Sequence, residues 1–249
     1  MKSKVRIILA VATLSLAALA CEAMAGGKDI EAPEMPTVVI PTVEIPTIVI
    51  PTVDISAASG RDAEVILSDD FSIETWGTGT DTESSVEYVD NALRFIVYKD
   101  NFYVWSTANK ETYSNIHAEV TVRDSSSDQN TAFGVMCNLQ DNDSTYYFAI
   151  TPSGLYAIAK SPGTGSDIFL TNDDQWRSSD LIPKNQSAYR IGVDCDGDGA
   201  LTLYVNGVQI DSVKDTTYTS GRIGLFVWSA EESSSADVSF DDFEMTRLP

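Results

Sequence analysis

The chain of 249 residues has one histidine, His117, and only 16 Lys and Arg against 37 Asp and Glu. A single histidine excludes multi-histidine zinc centres, which need several imidazoles or a cysteine set. Serine-hydrolase chemistry also needs a base and a G-x-S-x-G elbow, and no such elbow is present. Gly163-Thr164-Gly165-Ser166 lacks the third glycine of a dinucleotide loop. The shortage of cations excludes nucleic acid as a partner, because binding it depends on basic patches that displace counterions. A net charge of -21 likewise keeps the folded part from docking on an anionic membrane surface. Such acidity suits solubility, salty surroundings or cation binding. No convincing amphipathic helix competes with the strand patterns of the chain.

What is present begins with an export signal over residues 1–20. Lys2, Lys4 and Arg6 precede an apolar run from Ile7 to Ala20, which ends on Ala18-Leu19-Ala20. The run has about 14 residues, short of the roughly 20 that cross a bilayer, so it reads as cleaved. Removing it takes the net charge from -21 to -24, since it holds three cations and no acid. Cys21 follows directly, where a lipoprotein signal places the thiol that receives diacylglycerol, although Ala18 stands where lipoboxes usually carry Leu, Val or Ile. The alternative is cleavage after Ala23-Met24-Ala25, which discards Cys21 and yields a secreted protein. Residues 21–60 form a linker containing four copies of a five-residue unit, PTVVI-PTVEI-PTIVI-PTVDI, over 36–55. Proline every fifth position excludes helix and favours extension, about 3.1 Å per residue and on the order of 60 Å in all. Contact with the membrane is expected only through the N-terminal lipid, with the rest outside the cytoplasm at the cell envelope.

Residues 61–249 carry short runs of Val, Ile, Thr, Tyr and Phe separated by Gly, Asp, Asn and Ser, the pattern of an all-β domain. Strands are expected over 93–98, 103–107, 116–123, 132–139, 146–151, 155–160, 189–195, 201–205, 208–213, 223–228 and 238–245. Over 116–123 the alternation is strict: Ile116, Ala118, Val120 and Val122 share one face, and His117, Glu119, Thr121 and Arg123 the other. One face is therefore buried and one open. Asn206-Gly207 between apolar runs predicts a type I′ hairpin. A dozen or so short antiparallel strands are too many for one open sheet, so two packed sheets, an antiparallel β-sandwich, are expected. Cys137 shares parity with Phe133 and Val135, and Cys195 with Tyr189, Ile191 and Val193, so both thiols point inward. They form a disulfide if their strands are neighbours and stay separate buried thiols otherwise.

Phe133-Gly-Val-Met-Cys137, Tyr146-Tyr-Phe-Ala-Ile150, Tyr189-Arg-Ile-Gly-Val-Asp-Cys195, Leu201-Thr-Leu-Tyr-Val-Asn-Gly207, Gly221-Arg-Ile-Gly-Leu-Phe226 and Phe240-Asp-Asp-Phe243 together resemble the concanavalin A-like lectin/glucanase superfamily. More specifically, the pattern resembles the laminin G-like jelly roll of bacterial surface lipoproteins. The resemblance implies that Leu67-Ser-Asp-Asp-Phe71 and Phe240-Asp-Asp-Phe243 are the first and last strands and pair. Its motifs are structural and specify fold better than function. Glycosidases on this fold use E-x-D-x-x-E to set two carboxylates about 5 Å apart, and that spacing does not occur.

The expectation is a non-catalytic, carbohydrate-binding sandwich whose partners are polysaccharides or glycoconjugates, or envelope and extracellular proteins. The alternatives are an adhesion module without sugar and a divergent glycoside hydrolase. Sugar sites combine an aromatic platform with polar groups. By parity Tyr147 faces outward, and we expect it beside His117, Glu119, Arg123 and Asn138. Trp76, Trp105, Trp176 and Trp228 are further platforms. Asp69 and Asp70 with Asp241 and Asp242 are candidates for a structural calcium, as lectin-like sandwiches hold one near that junction. Asp194, Asp196 and Asp198 have calcium-loop spacing, but Val205 stands at the twelfth position, so a β-turn is the simpler reading.

Overall fold

The computed structural model describes residues 63–171, 175–230 and 235–249. The export signal, Cys21 and the proline-spaced repeats lie outside them. Among the described residues no helix is long and apolar enough to cross a membrane. The chain runs through β1 (Val65–Asp69), β2 (Gly79–Thr80), β3 (Ser84–Val89), β4 (Ala92–Val97), β5 (Tyr103–Thr107), β6 (Ile116–Asp124), β7 (Ala132–Leu139) and β8 (Ser144–Ile150). It continues through β9 (Leu155–Pro162), β10 (Ile168–Phe169), β11 (Arg177–Ser178), β12 (Tyr189–Cys195), β13 (Ala200–Val205), β14 (Val208–Lys214), β15 (Arg222–Trp228) and β16 (Ala236–Arg247). All pairings are antiparallel. A nine-stranded sheet runs β14-β13-β12-β6-β16-β4-β3-β2, with β1 also on β16; a seven-stranded sheet runs β10-β9-β8-β7-β15-β5, with β11 on β9.

The period-2 pattern explains how the sheets close on each other. The inward faces of β6, β12, β13 and β16 supply Val120, Ile191, Leu203 and Phe240, and those of β7, β8 and β15 supply Phe133, Phe148 and Leu225, all fully buried. Each such side chain contributes about 1.5–3 kcal/mol, and together they form one continuous core. The two inward cysteines meet across it. Cys137 on β7 and Cys195 on β12 form a disulfide that joins the sheets. The expected pairing of first and last strands is present, with Asp69 opposite Phe243. Asn206 and Gly207, at φ 52° and 77°, make the β13–β14 turn.

Four register shifts interrupt the ladders among the described residues, and two of them bear on the candidate residues. Between Met136 and Leu139, β7 carries one residue more than its partner β15, and Asn138 there takes a left-handed φ of 53°. Gly221 lies against this bulge, where a β-carbon would come within 2.3 Å of the Asn138 backbone. The second bulge, in β16 between Asp241 and Glu244, centres on Asp242 at φ 49°.

Candidate functional site

The outer face of the nine-stranded sheet carries His117, Glu119 and Arg123 as expected. Antiparallel pairing sets Asp194 opposite His117, and the His117 Nδ1 lies 2.6 Å from the Asp194 carboxylate while Nε2 lies 3.3 Å from Glu119. Burial alone would lower the His117 pKa, but the bonds to Asp194 and Glu119 overcome it and raise the imidazole to about 9. His117 in turn holds the Glu119 carboxyl below its ordinary range, against burial and with help from Arg190. Arg190 donates to Glu119 at 3.2 Å, to the Thr121 hydroxyl and to the Asp242 carbonyl. Tyr204 donates to Asp194 at 2.8 Å, and burial together with that carboxylate pushes its hydroxyl up to about 12. Arg123 lies 3.7 Å from Asp241. The charges of His117, Glu119, Arg190, Asp194 and Arg123 are thus each answered by a neighbour.

Tyr147 and Asn138 are elsewhere, which corrects the expected grouping. They sit on β8 and β7 of the seven-stranded sheet, across the core from His117. Parity places Tyr147 outward correctly, but outward from the other sheet. Asn138 does not face a ligand site at all: the bulge turns it in, it is 2 % exposed, and its amide donates to the Tyr218 carbonyl. The aspartates named as calcium candidates bond to their own neighbourhood. Asp69 accepts from the Phe71 amide, the Thr75 hydroxyl and the Trp76 indole; Asp70 accepts from Ser72; Asp241 accepts from the Asp242 amide. Asp196 closes a turn through the Asp198 amide. Among the described residues no three His, Cys, Asp or Glu side chains are grouped to hold a metal ion.

The concavity lies on the outer face of the seven-stranded sheet. Outward positions of β7 and β8 hold Ala132 and Ala149, small residues in the floor. At Gly134 on β7 a β-carbon would fall 1.8 Å from the Phe148 carbonyl oxygen, so β7 and β8 pass too closely there for a side chain. Aromatic side chains rise around the floor. Tyr103 and Trp105 project from β5, Phe226 and Trp228 from β15, and Tyr147 from β8; Phe169 and Trp176 come from the segment beyond β9. Trp176 and Trp228 are stacked, with ring centroids 6.5 Å apart at 25°. Tyr103 packs on Phe226 at 5.3 Å and Tyr147 meets Phe226 edge-on at 5.6 Å. The result is a trough of about 510 Å³, within the range of small-ligand sites.

Polar groups stand at the rim. Tyr147 donates to Asp167 at 3.0 Å, and the Trp228 indole donates to Asn101 at 3.2 Å. Asp143 and Thr145 also line the trough. Burial raises the Tyr103 hydroxyl far above its ordinary value, and the charges of Asp167 and Asp143 add to this. Trp105, Trp176 and Trp228 are legible as platforms in the sequence, whereas Trp76 is 4 % exposed in the core. Asp143 and Asp167 are not singled out by any sequence motif. The available signal was that β7, β8 and β9 are apolar on both faces, unlike a sheet with one solvated side.

No protein-family model matches the chain, and no curated protein matches it. Solved structures do. A carbohydrate-binding module, CBM66, of Bacillus subtilis superposes with a TM-score of 0.53 at 15% identity, covering 69% of this chain and 95% of that one. A Bacillus subtilis protein of unknown function with a galectin-like fold gives 0.55 at 13%, covering 75% and 97%. The β-glucanase of Bacillus licheniformis gives 0.54 at 10%, covering 76% and 100%. At these identities the likeness concerns the fold alone, a two-sheet antiparallel jelly-roll sandwich.

Proposed function

We propose that this protein is a non-catalytic carbohydrate-binding sandwich displayed outside the cytoplasm on a lipid at Cys21, and that the aromatic trough of the seven-stranded sheet is its binding site. One observation carries the reading: a trough floored by Ala132 and Ala149 and flanked by Trp105, Trp176 and Trp228, with Asp143, Asp167 and Asn101 at the rim. Pyranose rings present apolar C–H faces to indole planes and hydroxyls to carboxylates and amides, and this trough offers both. The fold neighbours, which include a carbohydrate-binding module, support it. The disulfide suits an oxidising compartment.

A glycan array followed by titration calorimetry tests the site. Binding should be lost in Trp228→Ala and in Trp176→Ala and kept in Glu119→Gln, which alters only the opposite face. An empty array, or affinity that survives both tryptophan variants, overturns the reading. Mass spectrometry of the mature chain tests the anchor: diacylglycerol on Cys21 supports it, and a chain beginning at Gly26 overturns it.

A glycoside hydrolase is a second reading, favoured by the two carboxylates that act on Tyr103. It requires release of reducing sugar from a β-glucan by the wild type, and loss of that turnover in Asp143→Asn.

A further inference from the structure

The charge of the trough is one-sided. Among the described residues seven aromatic side chains line it, the only charged ones are Asp143 and Asp167, and no Lys, Arg or His is among them. Neither aspartate belongs to an ion pair among the described residues. The cations that flank the lining residues in sequence are engaged elsewhere. Lys160 donates to Asp215 and Thr217, Arg177 to Asp211, Arg222 to the Gln140 carbonyl and Lys99 to Glu83. In sequence, Asp141 stands close to the lining Asp143, and no cation occurs over 140–143 or 164–171.

This combination has a chemical meaning beyond sugar binding. Indole and phenol faces carry the negative side of their quadrupole toward the space between them, which attracts a cation. Carboxylates form their strongest hydrogen bonds with charged donors. A neutral sugar obtains stacking and ordinary hydrogen bonds from such a trough. An anionic sugar meets two like charges in a partly desolvated space and is repelled. A protonated amine on the sugar ring obtains stacking, a charge-assisted bond and the quadrupole together. Resting on the carbohydrate reading of the same site, we infer that the trough selects glycans bearing free amino groups over their neutral and anionic counterparts, with Asp143 and Asp167 as the selecting residues.

Three tetrasaccharides test this by titration calorimetry on the folded protein at mildly acidic pH, where sugar amines are protonated and ordinary aspartates remain ionised. The probes are a glucosamine tetramer, its fully N-acetylated neutral counterpart and a galacturonate tetramer. The amine form should bind at least about tenfold more tightly than the neutral form, and the uronate should not bind. In Asp143→Asn/Asp167→Asn, which keeps the shape, the amine-to-neutral ratio should fall to about one. Trp228→Ala leaves the net charge of -21 unchanged and should lose the amine form, which separates the trough from general attraction of a cation to an acidic protein. Equal affinities, a ratio that survives the double aspartate variant, or amine binding that survives Trp228→Ala overturns the inference. If the neutral tetramer binds as well as the amine, carbohydrate binding stands and only the amine selectivity falls. If none of the three binds and the glycan array is also empty, both fall.

Discussion

On the nine-stranded sheet the outward positions of β6 and β12 hold His117, Glu119, Arg190 and Asp194, and these side chains bond to one another. On the seven-stranded sheet the corresponding outward positions hold alanine flanked by aromatic rings, with polar groups only at the rim. Both faces arise from the same alternation along antiparallel strands. The first satisfies its charges internally and offers a partner little. The second leaves apolar planes, a recess and two aspartates that form no ion pair among the described residues. Chemistry-bearing residue types are therefore a poor guide to the site in this molecule. The sole histidine lies on the saturated face, and the side chains that define the concavity are ones a sequence reading assigns by default to the core.

Changes ordered by size can break or sharpen that contrast. Removing the cross-link that joins the sheets, as Cys137→Ala/Cys195→Ala, should cost about 4 kcal/mol for a bridge spanning 58 positions. Chemical denaturation measures it, and a single transition common to Trp fluorescence and far-UV dichroism would show both faces depending on one core. Trp228→Ala should weaken oligosaccharide binding roughly thirtyfold or more with a small change in melting temperature, whereas Arg190→Met should do the reverse.

The histidine gives the charged face a pH signature. Its folded-state pKa of about 9 lies above the ordinary 6.5, so its stabilisation is complete below about pH 6.5 and is lost as pH rises toward 9. The expected loss is on the order of 1–2 kcal/mol, allowing for partial solvent screening. It should vanish in His117→Gln, while glycan affinity changes little. Glu119, whose folded value is lowered, acts in the opposite sense: its contribution is lost as pH falls through that lowered value. The smallest effect belongs to Arg94, which grips Asp237 with bonds of 2.8 and 2.6 Å. Both partners are about a third exposed, so Arg94→Met should cost about 0.5–1 kcal/mol.

Much of the sandwich was legible because its core strands obey period 2 and are bounded by turn residues. The inward parity of Cys137 and Cys195 led to the bridge, and Asn206-Gly207 to its hairpin. Other elements were hidden for physical reasons. The strand Ser84–Val89 buries Ser84 and Ser85, with Ser85 bonded to Thr80 at 2.8 Å, so hydroxyls stand where apolar residues would mark a strand. The two-residue strands β2, β10 and β11 are too short to display a period. Sheet membership was not legible either. Parity fixes which way Tyr147 points relative to its own strand, but only the strand order shows that β8 lies across the core from β6. The misplacement of Asn138 has a different origin: one extra residue in β7 reverses the parity of the positions beyond it, and no local composition announces it.

That same extra residue has a consequence for how this sequence can change over generations. Gly221 lies so close to the Asn138 backbone that a β-carbon there would approach it to 2.3 Å, and Asn138 holds a left-handed conformation that Asn tolerates better than most residues. Neither position is free to drift alone. Among descendants of this chain, replacement of Gly221 should appear together with a straightened β7, so the two sites should mutate as a pair. Straightening that strand would also shift Met136 and Ala132 in the trough floor, so lineages that keep Asn138 with Gly221 should be those that keep the shape of the trough.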